Sequence, residues 1–289
     1  MPNARPVPTV RRRRLGESLR RYRNAAGLNL DDAAAAVGWK APKLSRIENA
    51  NAHIRPADVT ALLQAYGVSD PEVFGALENL AKDAGKKGWW QTYGGIVAPA
   101  YADYISLESD ADSIRIFAPL LVPGLLQTAA YARETIAGIT MTRTPEEIAA
   151  LAEVRLARQA VLTRPKRPLK VWAVISEAVL HQRFAVRPET MRDQLRRLRD
   201  CAELPNITIQ IMPLDATPHP GSAGGFSLVG FPGTMPDVVL LENLIGATYV
   251  EGVSEVSTFA DAFNRIVAAA LPVDDSTALI ARLEEGGKP

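Results

Sequence analysis

The sequence is poor in the residues that build covalent frameworks and metal sites. Of 289 residues one is a cysteine, Cys201, and three are histidines, His53, His181 and His219. A single thiol excludes an internal disulfide framework and any cysteine-based zinc site. The three histidines lie far apart and share no ligand spacing. Long apolar runs are missing as well. The best, around Leu120–Leu126, is broken by Pro123 and Gly124 and falls well short of the ~20 residues that span a bilayer. The basic N-terminus lacks the apolar stretch of a signal peptide. There is no Gly-x-Ser-x-Gly, no Walker loop and no His-Glu-x-x-His. These absences predict a cytoplasmic chain that meets no membrane, holds no metal or cofactor and carries no catalytic set.

Weaker chemical signals have plain structural readings. Gly221-Ser-Ala-Gly-Gly225 resembles a phosphate cradle but precedes a strand, where a helix N-terminus is needed, so it reads as a loop. His219 sits between Pro218 and Pro220 and reads as part of that loop. Cys201 lies beside the apolar face of a helix and reads as core. Glu108, Glu177 and Glu242 flank apolar segments and could share a pocket, although nothing in the sequence brings them together.

What the chain does have is an uneven charge. Residues 1–60 hold 12 Lys/Arg against 5 Asp/Glu, and the remainder holds 21 against 27. A small basic segment ahead of a larger acidic one predicts that the first meets a polyanion and the second something else. Residues 1–10, with three prolines, predict a mobile tail. Arg11–Arg14 follow, readable as a DNA arm in a minor groove or as a solvated tail. Leu15, Leu19 and Tyr22 share one helical face that Gly27 ends. Asn29 caps a second helix ending at Gly38, Pro42–Asn49 forms a third, and a fourth runs from Pro56 to Gly67. A fifth helix is expected over 70–87. Beyond it, strands are predicted at Ser113–Phe117, Leu169–Ile175, Ile207–Met212, Phe226–Phe231 and Val238–Glu242. Helices alternate with them: one opens on the capping box Thr144-x-x-Glu147, one buries Met191, Leu195, Leu198 and Ala202, and one buries Val256, Phe259, Phe263 and Ile266. The fold class is therefore an all-α, helix-turn-helix N-terminal domain followed by a larger mixed α+β domain.

The second and third helices have the layout of a helix-turn-helix, in which the second of the pair enters the major groove. With Leu44 and Ile47 inward, Lys40, Ala41, Pro42, Lys43, Ser45, Arg46 and Asn49 face outward. Lys43 and Arg46 are placed to reach guanine acceptors, while Ser45 and Asn49 suit phosphate. Glu48 would be repelled by DNA and is assigned a bond inside the module. Leu44-Ser-Arg-Ile-Glu-Asn49 resembles the core of the Xre-type, phage-repressor-like helix-turn-helix. That resemblance places Ala41, Pro42, Lys43 and Arg46 at base-facing positions. Ala50 stands where the family usually has glycine and Leu30 where it often has a phosphate-binding glutamine, which shifts load to Arg11, Arg12, Arg13 and Arg14.

Trp89, Trp90, Tyr93, Tyr101 and Tyr104 concentrate at the junction of the two domains and read as interdomain packing or as a ligand cage. The resemblance then widens. Gly88-Trp-Trp, Tyr101-Ala-Asp-Tyr-Ile-x-Leu-Glu108, Leu121-Val-Pro-Gly-Leu-Leu-Gln-Thr128, Arg155-x-x-Arg-Gln159 and Glu203-Leu-Pro-Asn-Ile-Thr208 occur in order. Together they resemble the actinobacterial family of Xre regulators with an antitoxin-like C-terminal domain, which includes regulators similar to WhiJ of sporulating actinomycetes. The resemblance implies a transcriptional regulator that binds double-stranded operator DNA and a small partner protein encoded nearby, and a homodimer is expected because one short recognition helix reads too few base pairs. A small-molecule sensor and an antitoxin-like component are the alternatives, and an enzyme the least favoured. The expected organisation is a tail over 1–10, a DNA-binding domain over 11–69, a connecting helix over 70–89 and an effector domain over 90–285.

Overall fold

The computed structural model describes residues 8–83, 88–140, 142–233, 235–244 and 246–286. The tail expected over 1–10 lies outside the described residues as far as residue 7, as does the 84–87 part of the fifth helix. The chain divides into two compact units, Met1–Trp89 with Phe231–Pro236, and Trp90–Gly230 with Asp237–Pro289.

The first unit is helical: α1 (Val10–Ala25), α2 (Leu30–Ala36), α3 (Ala41–Glu48), α4 (Pro56–Ala65) and α5 (Pro71–Asp83). The arginine run is not an extended arm. Thr9 caps α1 by accepting from the Arg12 amide, and buried Val10 anchors its first turn. Arginine is a good helix former, so the run continues the helix that Leu15 and Leu19 demand. Asn29 caps α2 through the Asp32 amide, 2.9 Å away. Gly27, Gly38 and Gly67 take positive φ where helices end. The core is aliphatic and fully buried at Leu19, Leu44, Val59, Leu62 and Leu63.

The second unit is built on a six-stranded sheet. In chain order its elements are α6 (Pro99–Asp110), β1 (Ser113–Ala118), α7 (Ala129–Ile139), α8 (Pro145–Arg158), β2 (Lys170–Ser176), α9 (Glu177–Leu180) and α10 (Thr190–Ala202). They continue with β3 (Ile207–Met212), β4 (Phe226–Gly230), β5 (Val238–Asn243), β6 (Gly246–Val250), α11 (Val253–Ala269) and α12 (Val273–Glu284). The strand order is β3-β2-β1-β4-β5-β6. β1, β2 and β3 run parallel, joined by helical crossovers, while β4 pairs antiparallel with β1, β5 antiparallel with β4 and β6 antiparallel with β5. The fold is the expected mixed α+β layer. Each of the five expected strands is present within about one residue, while β6 is an addition.

Apolar faces decide the packing. Val256, Phe263 and Ile266 of α11 bury against Phe117, Val174, Phe226 and Val239 of the sheet. The outer edge of β3 is closed by the approach to α12. The Ile211 amide donates to Ser276 Oγ at 2.9 Å, the Leu271 amide to the Ile211 carbonyl at 2.9 Å, and Gln210 Nε2 to the Leu271 carbonyl at 2.9 Å. Those bonds satisfy groups that an open edge strand would present to other chains. Among the described residues, no helix is long and apolar enough to cross a membrane.

Candidate nucleic-acid interface

α2 and α3 are joined by a tight turn, with Gly38 at φ 70° and the Trp39 amide donating to the Ala34 carbonyl at 2.8 Å. The turn fixes which side of α3 faces out. Leu44, Ile47 and Glu48 are buried, and Lys40, Pro42, Lys43, Arg46 and Asn49 are exposed. Ala41 and Ser45 are half-buried. Five of the seven side chains expected to face outward on α3 and its two caps are therefore exposed.

A buried ion pair holds α3 in place. Arg23 on α1 donates to both carboxylate oxygens of Glu48, at 2.7 and 2.9 Å, and to the Leu28 carbonyl at 2.8 Å. Hydrogen bonding to Glu48 holds the Arg23 guanidinium above its ordinary pKa. Nearby, burial first and the Glu48 charge second push the Tyr66 phenol well above its usual value. Glu48 thus has the internal bond that sequence reasoning gave it. Its partner went unread, although an arginine four residues after Leu19, on the apolar face of α1, is the signal that points to it. Arg20 adds a second tie, donating to Asn49 Oδ1 at 2.6 Å and to the Glu48 carbonyl at 3.4 Å. Asn49 in turn donates to the Ser45 carbonyl at 2.8 Å.

Gly16 makes this clamp possible. A Cβ there would stand 2.5 Å from the Glu48 carbonyl oxygen and 2.8 Å from that of Ile47. α1 crosses the C-terminal end of α3 backbone against backbone, a distance that only glycine permits.

The remaining cations occupy different settings. Lys43 Nζ lies 3.3 Å from the centre of the Trp39 ring, a cation–π contact. Arg11 reaches the Asp83 carbonyl at 3.3 Å, Arg13 reaches the Pro8 carbonyl at 2.7 Å, and Arg12 lies against His53. Arg14 turns inward and is 2 % exposed, its guanidinium 3.4 Å from the Phe231 ring centre. Helical spacing spreads four consecutive arginines around α1, so they do not form one basic surface.

In the sheet unit, the motifs read from the sequence gather around a second buried pair. Arg158 donates to both oxygens of Glu108, one at 2.7 Å, and to Tyr101 Oη at 2.5 Å. Its guanidinium also lies over the Tyr101 and Tyr104 rings, 5.0 and 4.9 Å from their centres. Burial opposes the Arg158 charge, but Glu108 more than offsets it and holds the group above its ordinary value. Tyr101 and Tyr104 are thereby placed on the ion pair, whereas Trp89, Trp90 and Tyr93 lie on a short 3-10 helix, Trp89–Tyr93. The Leu121–Thr128 segment is held by side chains from other elements. Arg155 donates to Gln127 Oε1 at 3.0 Å, Gln159 to the Gln127 carbonyl at 2.7 Å, and Gln194 to the Leu126 carbonyl at 2.8 Å.

The three glutamates do not form an acid–base set. Glu108 is engaged by Arg158, Glu177 accepts from the Leu214 amide at 3.1 Å, and Glu242 is exposed on β5. Cys201 is fully buried, and desolvation raises its thiol pKa. His219 Nδ1 accepts from the Gly221 amide at 3.1 Å, and the ring packs edge-on to Phe117. Among the described residues, no group of three His, Cys, Asp or Glu is arranged to hold a metal ion.

Two family models match the chain. A helix-turn-helix domain covers residues 14–73, and a domain of unknown function, DUF5753, covers residues 101–282. No curated protein and no solved structure matches it.

Proposed function

The chain belongs to the DUF5753 family and carries a helix-turn-helix domain ahead of that family's domain, and we propose that it is a sequence-specific transcriptional repressor acting by occupancy. The observation that carries this reading is the outward face of α3, where Lys40, Lys43, Arg46 and Asn49 stand exposed while Arg23 and Glu48 lock the helix from behind. Such a face suits base edges in a major groove. Arg11, Arg12 and Arg13 are kept as phosphate contacts along α1, and Arg14, being buried, is left out of the set. α3 is eight residues long and reads too few base pairs by itself, so the active form is taken to be a homodimer.

The sheet unit is assigned the capture of a small partner protein that alters DNA affinity. The support is the resemblance of its ordered motifs to regulators encoded beside such a partner. The test is binding of the purified chain to a duplex from its own upstream region, at two salt concentrations, with and without the product of the adjacent small gene. Specific binding changed by that product is the expected result. Specific binding indifferent to it removes the partner assignment, and no specific binding at either salt removes the repressor reading.

A further inference from the structure

Arginines of the sheet unit are commonly matched to carboxylates. Arg143 faces Glu147, Arg158 faces Glu108, and Arg196 and Arg199 share Glu284. Arg155 and Arg197 are not matched in this way. Both are half-buried, and among the described residues neither has a carboxylate within ion-pair distance. Each has one neutral oxygen instead. Arg155 Nη1 donates to Gln127 Oε1 at 3.0 Å, and Arg197 Nη2 donates to Gln159 Oε1 at 3.2 Å. Arg155 Nε is buried and has no acceptor among the described residues.

Two helices bring these guanidiniums to residues 124–128. Arg155 and Arg158 stand three apart on one face of α8, and Gln194 and Arg197 three apart on one face of α10. Gln194 pins the segment by donating to the Leu126 carbonyl and accepting from the Thr128 amide, both at 2.8 Å. Gln159 Nε2 donates to the Gln127 carbonyl at 2.7 Å, and Gln127 Nε2 donates to the Val122 carbonyl at 2.7 Å. The two glutamines thus spend their N–H groups on backbone and turn their Oε1 atoms to the two arginines. A guanidinium has five donors, so most of those on Arg155 and Arg197 still lack a protein acceptor. The charge is unbalanced as well. Arg155, Arg158 and Arg197 bring three positive charges against the one negative charge of Glu108, a surplus of two. Half-buried cations held in place without a counter-ion are costly unless something else supplies one.

We propose that Arg155 and Arg197, held by the Gln127–Gln159 bridge, bind the phosphate group of a small molecule. The planar N–H edges of guanidinium groups match the oxygens of phosphate, which has enough acceptors for two arginines. The surplus of two charges equals that of a phosphate dianion, whereas a carboxylate would leave one unanswered. The bound group completes the hydrogen bonding of both arginines and fastens residues 124–128 to α8 and α10. This site goes beyond the capture of a partner protein, and it rests neither on that reading nor on DNA binding.

The test titrates inorganic phosphate into the full-length chain by calorimetry, in a zwitterionic buffer at constant ionic strength. It is repeated with Arg155→Gln, with Arg197→Gln and with Arg192→Gln, a control at an exposed position of α10. Saturable binding by wild type and Arg192→Gln, weakened roughly tenfold or more in the other two, is the expected result. No saturation in wild type overturns the site, as does affinity left unchanged by Arg155→Gln or Arg197→Gln. Acetate bound more tightly than phosphate overturns the choice of phosphate. Amide hydrogen exchange of the wild-type chain gives a readout free of substitution. Phosphate should slow exchange over residues 124–128 and 155–159, and unchanged exchange there overturns the site. Should Arg155→Gln unfold, Arg197→Gln, whose side chain is tied only to Gln159, decides together with the exchange measurement. Failure of the chain to bind a duplex removes the DNA reading and leaves each of these outcomes as it stands.

Discussion

Ala50 follows α3 with φ 59°, the one left-handed residue other than glycine among the described residues. An L-residue there costs roughly 1–2 kcal/mol relative to glycine, and the backbone entropy of glycine returns about 0.5–1 kcal/mol of that. Ala50→Gly should therefore stabilise the helical unit by up to about 1.5 kcal/mol, read as a higher urea midpoint. A lower midpoint would mean that the buried methyl of Ala50 outweighs the strain. Two residues earlier the balance is different. Glu48 is 4 % exposed and Arg23 8 %, so removing one charge strands the other. Glu48→Gln should cost about 3–5 kcal/mol, and a loss below about 1 kcal/mol would show that water reaches the site.

At the scale of elements, α3 and α8 give contrasting predictions. Arg46 is exposed at the centre of the outward face of α3. Arg46→Ala should weaken specific binding by about 1–3 kcal/mol and relax preference at one base pair. Equal losses on specific and random duplexes would make Arg46 a phosphate contact instead. α8 begins with a capping box in which Thr144 Oγ1 accepts from the Glu147 amide and Glu147 accepts from the Thr144 amide. That backbone bond, with Arg143 second, holds the Glu147 carboxyl below its ordinary value of 4.5. A depressed carboxyl stabilises the fold fully above its unfolded pKa and loses that contribution as pH falls through the folded one. The difference in urea midpoint between wild type and Glu147→Gln should accordingly shrink below pH 4.5. A difference that is flat with pH would show the cap to be inert. These elements were also the legible ones. Thr144 and Glu147 sit three apart, and Asn29 and Asp32 likewise, so local spacing announces both caps. β6 was not legible because it is short, half-exposed and without a continuous apolar run. α1 was misjudged at its start because four arginines mask a helix whose anchor is the single buried Val10.

Across the whole molecule, the limits of reading lie in contacts between distant residues. Two units of different fold class follow from charge and periodicity alone. The membership of Phe231–Pro236 in the helical unit does not, because 217 residues separate Phe231 from Arg14 and neither position has a local pattern that requires the other. The same holds for Arg158 and Glu108, whose sequence contexts announce helices but not a shared ion pair. Symmetry supplies the remaining prediction. If two copies bind DNA together, protected half-sites should be centred ~34 Å apart or at a multiple of that distance. Footprints on the upstream duplex check this, and a single unpaired footprint would contradict the dimer.

If α3 reads DNA as proposed, the contact between Lys43 and Trp39 sets a threshold on what it can accept. Off DNA, the lysine already has a companion in the indole ring beneath it. Lifting the ammonium away costs about 0.5–1 kcal/mol at an exposed site, a factor of roughly two to five in an equilibrium. A base edge that offered less would leave the lysine where it is, and only a stronger acceptor would draw it across. On the proposed DNA-binding reading, Trp39 would act as a decoy beside α3, filtering weak matches before they can be counted as binding.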